Sequence, residues 1–375
     1  MSSTSDTALM AVRRYATPTQ FRGPWLNLIL LALLVKAVLI ALTLLLYGAS
    51  PDPLTALGRS WDQWDAEHYL YLATHGYVGS GDPRNLIAFF PLYPALIAAV
   101  AAIGLPARLA ALLISNVAGV VAAILLYEVA LADRKPAEAW RAAAFFTIFP
   151  TAYFLLVGYS EALFCALAFG AVLAARRQHW MLCGMLGGLA AAARLTGLAL
   201  LPFLLIELWP KRFRFKPIPP LTILLGFLVY LATNQLVLGS PLAFIEVQRE
   251  HWSHSLSAPW VGFADAIRSL FTRVAWEKLT VGVGEIAGGL AAYTTATLSW
   301  LRLRPADAAY ATVLTVMVTF LPFWLSIPRY LLSMYPLFLL VGRIESRSVY
   351  RTMVTLSAIA LIVFALAFGR GYWAF

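Results

Sequence analysis

Two carboxylates three residues apart, Asp62 and Asp65, lie in a stretch that also holds Trp61, Trp64, Glu67, His68 and Tyr69. Acids set among aromatic rings at helical spacing suit a surface that touches both an apolar phase and water. Asp65, between Trp64 and His68, is the candidate general base, because a positioned carboxylate can take the proton of an attacking hydroxyl. Arg194 and Arg329 are the candidate anion partners. Arg194 precedes Thr196-Gly197 between two short apolar runs, and Arg329 follows Pro328 at the start of another. A guanidinium fork at such a break is the chemistry that holds a phosphate. Glu161 follows Tyr159-Ser160 at a helix start, where the helix dipole favours an anion. Each residue also has a plainer reading: Asp65 as solvated helix surface, an arginine snorkelling to an interface, Glu161 as a simple cap.

The elements that must position these residues are set by composition. Of 375 residues, 61% are hydrophobic and 12% charged, with a mean hydropathy of +0.77. Soluble domains carry roughly twice that charged fraction. A bilayer is therefore the expected solvent, and apolar runs near 20 residues read as spanning helices. The net charge of +10 falls in short clusters between apolar runs: Arg13-Arg14 with Arg22, Arg134-Lys135 with Arg141, Arg176-Arg177, Lys211 to Lys216, Arg302 with Arg304, and Arg343-Arg347-Arg351. Cytoplasmic loops accumulate such clusters, so topology explains the charge and nucleic acid is not an expected partner.

The first apolar run, 25–47, is too long for a signal-peptide core and reads as a retained anchor. Residues 1–24 form a cytoplasmic tail, 25–368 a single transmembrane domain, and 369–375 a short external end. An external loop spans about 48–86, with an interfacial helix over 60–77, and a second spans about 239–273. Placing the basic clusters inside requires that 87–104, broken by Pro91 and Pro94, dips in without crossing. About eleven crossings result, with the C-terminus outside. Asp62, Asp65, Glu67, His68, Tyr159 to Glu161, Arg194, the loop 239–273 and Arg329-Tyr330 then all gather at the external face. Ionisable residues embedded at one membrane face are functional candidates. Cys165 and Cys183 lie inside apolar runs and offer neither a loop disulfide nor metal spacing. No nucleotide-binding, metalloprotease or serine-hydrolase motif is present.

The segment Trp64-Asp65-Ala66-Glu67-His68-Tyr69, followed by His75-Gly76-Tyr77 and Ala88-Phe89-Phe90-Pro91-Leu92-Tyr93-Pro94, resembles the PIG-V-type mannosyltransferases. These enzymes add the second mannose of the GPI anchor and have bacterial relatives. Phe149-Pro150-Thr151, Tyr159-Ser160-Glu161, Arg194-Leu195-Thr196-Gly197, Gly239-Ser240-Pro241 with Gln248 and Trp252, and Arg329-Tyr330 extend the resemblance over roughly residues 60–340. It implies an all-α polytopic GT-C fold, a polyprenyl-phosphate mannose donor and a catalytic acid in the first external loop, which falls on Asp65.

The expected reaction is inverting transfer of mannose to a glycolipid or glycan acceptor at the external face of a bacterial plasma membrane. Asp65 is the base, with His68 and Glu161 orienting it or the acceptor. Arg194, Arg329 and Tyr330 bind the donor phosphate, and Asp62, Tyr69, Gln248, His251 and Trp252 meet the acceptor or sugar. No cofactor is expected, since an arginine clamp can hold the leaving phosphate without a divalent metal. The competing expectation is a lipid-linked-sugar flippase or secondary transporter, which would carry charges along a midplane pathway and a pseudo-repeat between halves.

Overall fold

In the computed structural model every regular element among the described residues, 22–47, 52–211 and 216–375, is helical. A helix satisfies its own backbone, which a lipid solvent demands. The expected tail up to residue 21, with Arg13 and Arg14, and the basic residues Arg212 and Arg214 lie outside the described residues. Among the described residues four helices are long and apolar enough to cross a membrane: Gly23–Leu46, Ala107–Leu131, Ile218–Leu238 and Arg347–Gly369.

The remaining apolar runs are built from shorter pieces. The run at 87–104 becomes a 3-10 turn, Asp82–Ala88, and a helix, Leu92–Ala101, bent by 111° about Pro91. Ten helical residues rise only about 15 Å, half the thickness of a hydrocarbon core. Helix Trp180–Ala193 stops at Arg194 and resumes through a 3-10 turn, Leu195–Ala199, into Leu200–Leu208. A π-helical stretch, Lys278–Gly284, precedes Glu285–Arg302. Broken helices of this kind are tolerated where they are buried in protein or line a cavity.

The expected single helix over 60–77 is two helices, Pro53–Trp61 and Asp65–His75. The break falls at residues 62–64, where Trp64 adopts φ 54° and ψ −120°. No Gly or Pro marks it. Tertiary contacts impose it, as described below.

Packing between membrane helices relies on close approach rather than on hydrophobic exclusion. Gly184 and Gly188 face Ile218–Leu238 at one-turn spacing. A Cβ at Gly226 would sit 1.8 Å from the Gly188 carbonyl oxygen, and one at Gly188 would sit 2.4 Å from that of Thr222. This contact fixes the helix that delivers Arg194.

Helix Glu161–Arg176 is buried along most of its length and joins two charged clusters. Its far end carries Arg176, whose side chain is 1% exposed and pairs with Asp133 at 3.2 Å, Glu207 at 2.8 Å and Asp307 at 2.6 Å. Arg304 adds a second guanidinium to Asp133, and the Tyr335 hydroxyl donates to Asp307 at 2.5 Å. Arg134 and Arg343 both donate to the Arg302 carbonyl. Basic residues from four separate segments of the chain thus meet at one end of the bundle. The other end of the same helix, about 24 Å away by helical rise, begins at Glu161.

Candidate active site

Glu161 is 4% exposed and stands between two guanidiniums. Arg194 Nη1 donates to Glu161 Oε1 at 2.6 Å and to Ser160 Oγ at 2.9 Å. Arg329 Nε lies 3.2 Å from the same Oε1, an ion-pair distance without hydrogen-bond alignment. Arg329 Nη1 reaches on to Asp65 Oδ2 at 2.9 Å. Asp65, Arg329, Glu161 and Arg194 therefore form one chain of alternating charge, and two acids balance two bases. Among the described residues Arg194 engages hydrogen-bond partners through Nη1 alone, which leaves its other donors for a ligand. The Tyr330 ring lies 5.1 Å from the Arg194 guanidinium and 5.7 Å from that of Arg329.

Each charged group is delivered by a distinct local device. Arg194 sits in extended backbone, φ −157° and ψ 147°, where its helix ends. The chain then turns back so sharply that a Cβ at Gly197 would lie 2.4 Å from the Ala191 nitrogen. Arg329 belongs to the one-turn helix Ile327–Tyr330, entered through Ser326 at φ 66°. Both oxygens of the buried Glu285 accept backbone N–H groups at that entry, Ser326 at 2.6 Å and Ile327 at 2.9 Å. The Thr151 hydroxyl donates to the Pro328 carbonyl at 2.9 Å.

Asp65 is the first residue of its helix, and the Tyr159 hydroxyl spans the strained residue before it. That hydroxyl donates to the Gln63 carbonyl at 2.9 Å and accepts from the Asp65 N–H at 3.2 Å. A bulky residue at positive φ costs on the order of 1–3 kcal/mol, so the Tyr159 clamp and the edge-on Trp373 ring at 5.2 Å from Trp64 hold a conformation the chain would otherwise leave. Tyr159 is itself held, because Ser115 Oγ donates to its carbonyl at 3.0 Å. Upstream, Lys36 Nζ donates to the Leu155 carbonyl at 2.7 Å and to Asn116 Oδ1 at 2.9 Å.

A cavity of about 440 Å³ opens beside this charge chain. Asp65, Tyr69, Arg194, Gln248, Trp252, Arg329 and Tyr330, all expected site residues, line it. Most of the remaining wall is apolar, including Phe89, Phe90, Phe244, Ile245, Met317 and Leu321. The Tyr69 hydroxyl shares a hydrogen bond of 2.8 Å with Ser160 Oγ, and burial raises its pKa above the usual tyrosine range.

Four expected residues stand outside the lining. Glu161 lies behind the arginines. Asp62 falls in the break and pairs with Arg108; burial raises its pKa more than Arg108 lowers it. His68 packs against Phe89 at 5.2 Å and Trp252 at 5.9 Å, and burial pushes its imidazole below the usual range despite the nearby Asp65 and Glu67 charges. His251 Nδ1 meets Asn85 Nδ2 at 3.2 Å.

Sequence reasoning missed Tyr159 as a clamp, Glu285 and Lys36. The last two carried a signal, a single charge inside an otherwise apolar run. Among the described residues no three His, Cys, Asp or Glu side chains come together as metal ligands do.

The mannosyltransferase (PIG-V) family model matches residues 55–263. The chain is 36% identical to GPI alpha-1,6-mannosyltransferase 2 of Rattus norvegicus over 169 residues, 42% of this chain and 34% of that protein. It is 38% identical to the Mus musculus protein of the same name over 169 residues, with the same coverage. The aligned part thus spans about a third of these relatives. Among solved structures, the chain is similar over 94% of its length to the Archaeoglobus fulgidus oligosaccharyltransferase in its apo form, covering 57% of that chain at 14% identity and a TM-score of 0.48.

Proposed function

The chain belongs to the mannosyltransferase (PIG-V) family, and we propose that it is a multi-pass membrane enzyme of GT-C type that moves mannose from polyprenyl-phosphate mannose to a hydroxyl of a glycolipid or glycan. The observation that carries this reading is the cavity in which Asp65, Arg194 and Arg329 meet beside a largely apolar wall. A phosphate bonded to both a sugar and a long lipid needs that combination of guanidiniums and apolar surface.

In the proposed reaction the acceptor hydroxyl attacks the anomeric carbon from the side opposite the phosphate. The bond from the anomeric carbon to the phosphate oxygen breaks, its electron pair leaves with the lipid phosphate, and configuration inverts. The acceptor proton passes to Asp65, whose Oδ1 is not engaged by other groups among the described residues. One negative charge disappears from Asp65 as one appears on the phosphate. Arg329, bonded to Asp65 at the outset, can follow that charge, and Arg194 supplies a second set of donors for the leaving group. This arrangement calls for no divalent metal. Glu161 holds the two cations at a fixed spacing, and Gln248 and Trp252 offer the acceptor a polar and a stacking surface.

An external site is supported by helix Glu161–Arg176, which separates this cluster from the end where Arg134, Arg302, Arg304 and Arg343 gather. Positive charge marks the cytoplasmic end. Purified protein given polyprenyl-phosphate carrying radiolabelled mannose and host lipid extract should release polyprenyl phosphate and label a glycolipid or glycan. Movement of intact donor across the bilayer without release would make the chain a carrier instead.

A further inference from the structure

Several buried helical threonines donate their hydroxyl to the carbonyl four residues back: Thr43 to Leu39, Thr147 to Ala143, Thr315 to Ala311 and Thr319 to Thr315. Thr196 does not. Its hydroxyl is sealed from solvent and has no hydrogen-bond partner among the described residues, and the residue as a whole is 6% exposed. The reason is local. The extended backbone at Arg194 ends the helix between Ala192, the residue four back, and Thr196, so the helical bond to that carbonyl does not form.

An orphaned buried hydroxyl is costly, because desolvation of the group is uncompensated. Valine would fill the same volume without that penalty. Thr196 nevertheless lines the cavity, together with Arg194 and Tyr330, and the backbone that carries it is pinned by the close approach of Gly197 to Ala191. Neighbouring hydroxyls do not share its state: Ser160 is bonded to Arg194 and Tyr69, and Tyr159 to Gln63 and Asp65.

We infer that Thr196 is a donor-binding residue whose hydroxyl completes its hydrogen bonding only when the substrate is present, by donating to a phosphate oxygen held by Arg194. The inference rests on the proposed donor. It adds to the two guanidiniums a neutral contact that distinguishes a bound from an empty site.

The test compares Thr196→Val, Thr196→Ser and Arg194→Lys in detergent-purified full-length protein. Binding is measured without acceptor, using a short-chain polyprenyl-phosphate mannose and the matching polyprenyl phosphate. Thr196→Val should melt at the same or a higher temperature than the parent and bind both probes about 10- to 100-fold more weakly, the loss of one hydrogen bond to a charged group. Thr196→Ser, which keeps the hydroxyl, should bind within a few-fold of the parent. A lowered melting temperature for Thr196→Val with unchanged binding would mean a structural hydroxyl and overturn the inference. Weakened binding of the mannosylated probe alone would move the contact to the sugar and overturn it as well. Parent-like binding by Thr196→Val while Arg194→Lys binds weakly would remove Thr196 alone; parent-like binding by both would remove the phosphate site itself.

Discussion

Asp65 and Arg329 are 264 positions apart in the chain and 2.9 Å apart in the fold. The acid that would accept a proton is thus held by a cation that would hold the leaving group, and the helix Ile327–Tyr330 must dock against the first loop before either is in place. Much of the surrounding structure serves that docking.

Glu161 is the joint between the two arginines, and its removal should be felt as instability. Glu161→Gln leaves two buried guanidiniums sharing a neutral amide, and breaking a buried ion pair from one side costs about 3–5 kcal/mol. We expect a clearly lowered thermal midpoint. Arg194→Lys retains charge but loses the planar fork, so its main effect should be on donor binding. Equal melting of Glu161→Gln and the parent would mean that Glu161 does not hold the clamp together.

Glu285→Gln tests how Arg329 is positioned. Both carboxylate oxygens accept backbone N–H groups, and an amide offers one acceptor and sets an NH2 group against the second N–H. A stability loss of about 1–3 kcal/mol is expected, with turnover reduced even at saturating donor. Unaltered turnover and stability would show that Ser326 and Ile327 hold their conformation without it.

Tyr159→Phe keeps the ring and deletes the hydroxyl that spans Trp64. The strained turn before Asp65 should relax, lowering kcat while leaving donor affinity near the parent value, since no phosphate contact is removed. A loss of donor affinity with unchanged kcat would contradict the assignment of Tyr159 to the base.

Orientation can be read by cysteine labelling, because both native cysteines are buried. Arg249→Cys, at a side chain 66% exposed, should react with an impermeant thiol reagent in intact cells. Lys135→Cys, at the opposite basic end, should react only after permeabilisation. The reverse pattern would put the site on the cytoplasmic side.

The candidate residues were legible because a bilayer leaves few reasons for a charge at a helix end, so Asp65, Arg194, Glu161 and Arg329 stood out from apolar neighbours. Their pairing was not legible, since nothing local to Arg329 specifies a partner 264 residues away. The break at residues 62–64 was hidden for a related reason. Trp61, Trp64 and His68 keep helical spacing through it, and the interruption is imposed by Tyr159 and Trp373 from distant segments. The expected membrane fold was plain from composition. Which apolar runs became short, broken helices depended on close contacts such as that of Gly188 with Gly226.

The most direct test is Asp65→Asn, which keeps size and hydrogen bonding but cannot take a proton at neutral pH. Release of polyprenyl phosphate from radiolabelled polyprenyl-phosphate mannose should be measured with acceptor present, alongside donor binding without it. The account predicts a fall in release of roughly 100-fold or more, with donor binding retained and a thermal midpoint lowered only modestly, because Arg329 keeps Glu161 as a partner. Release near the parent rate would contradict it, because the acid at the centre of the charge chain would then not be the base.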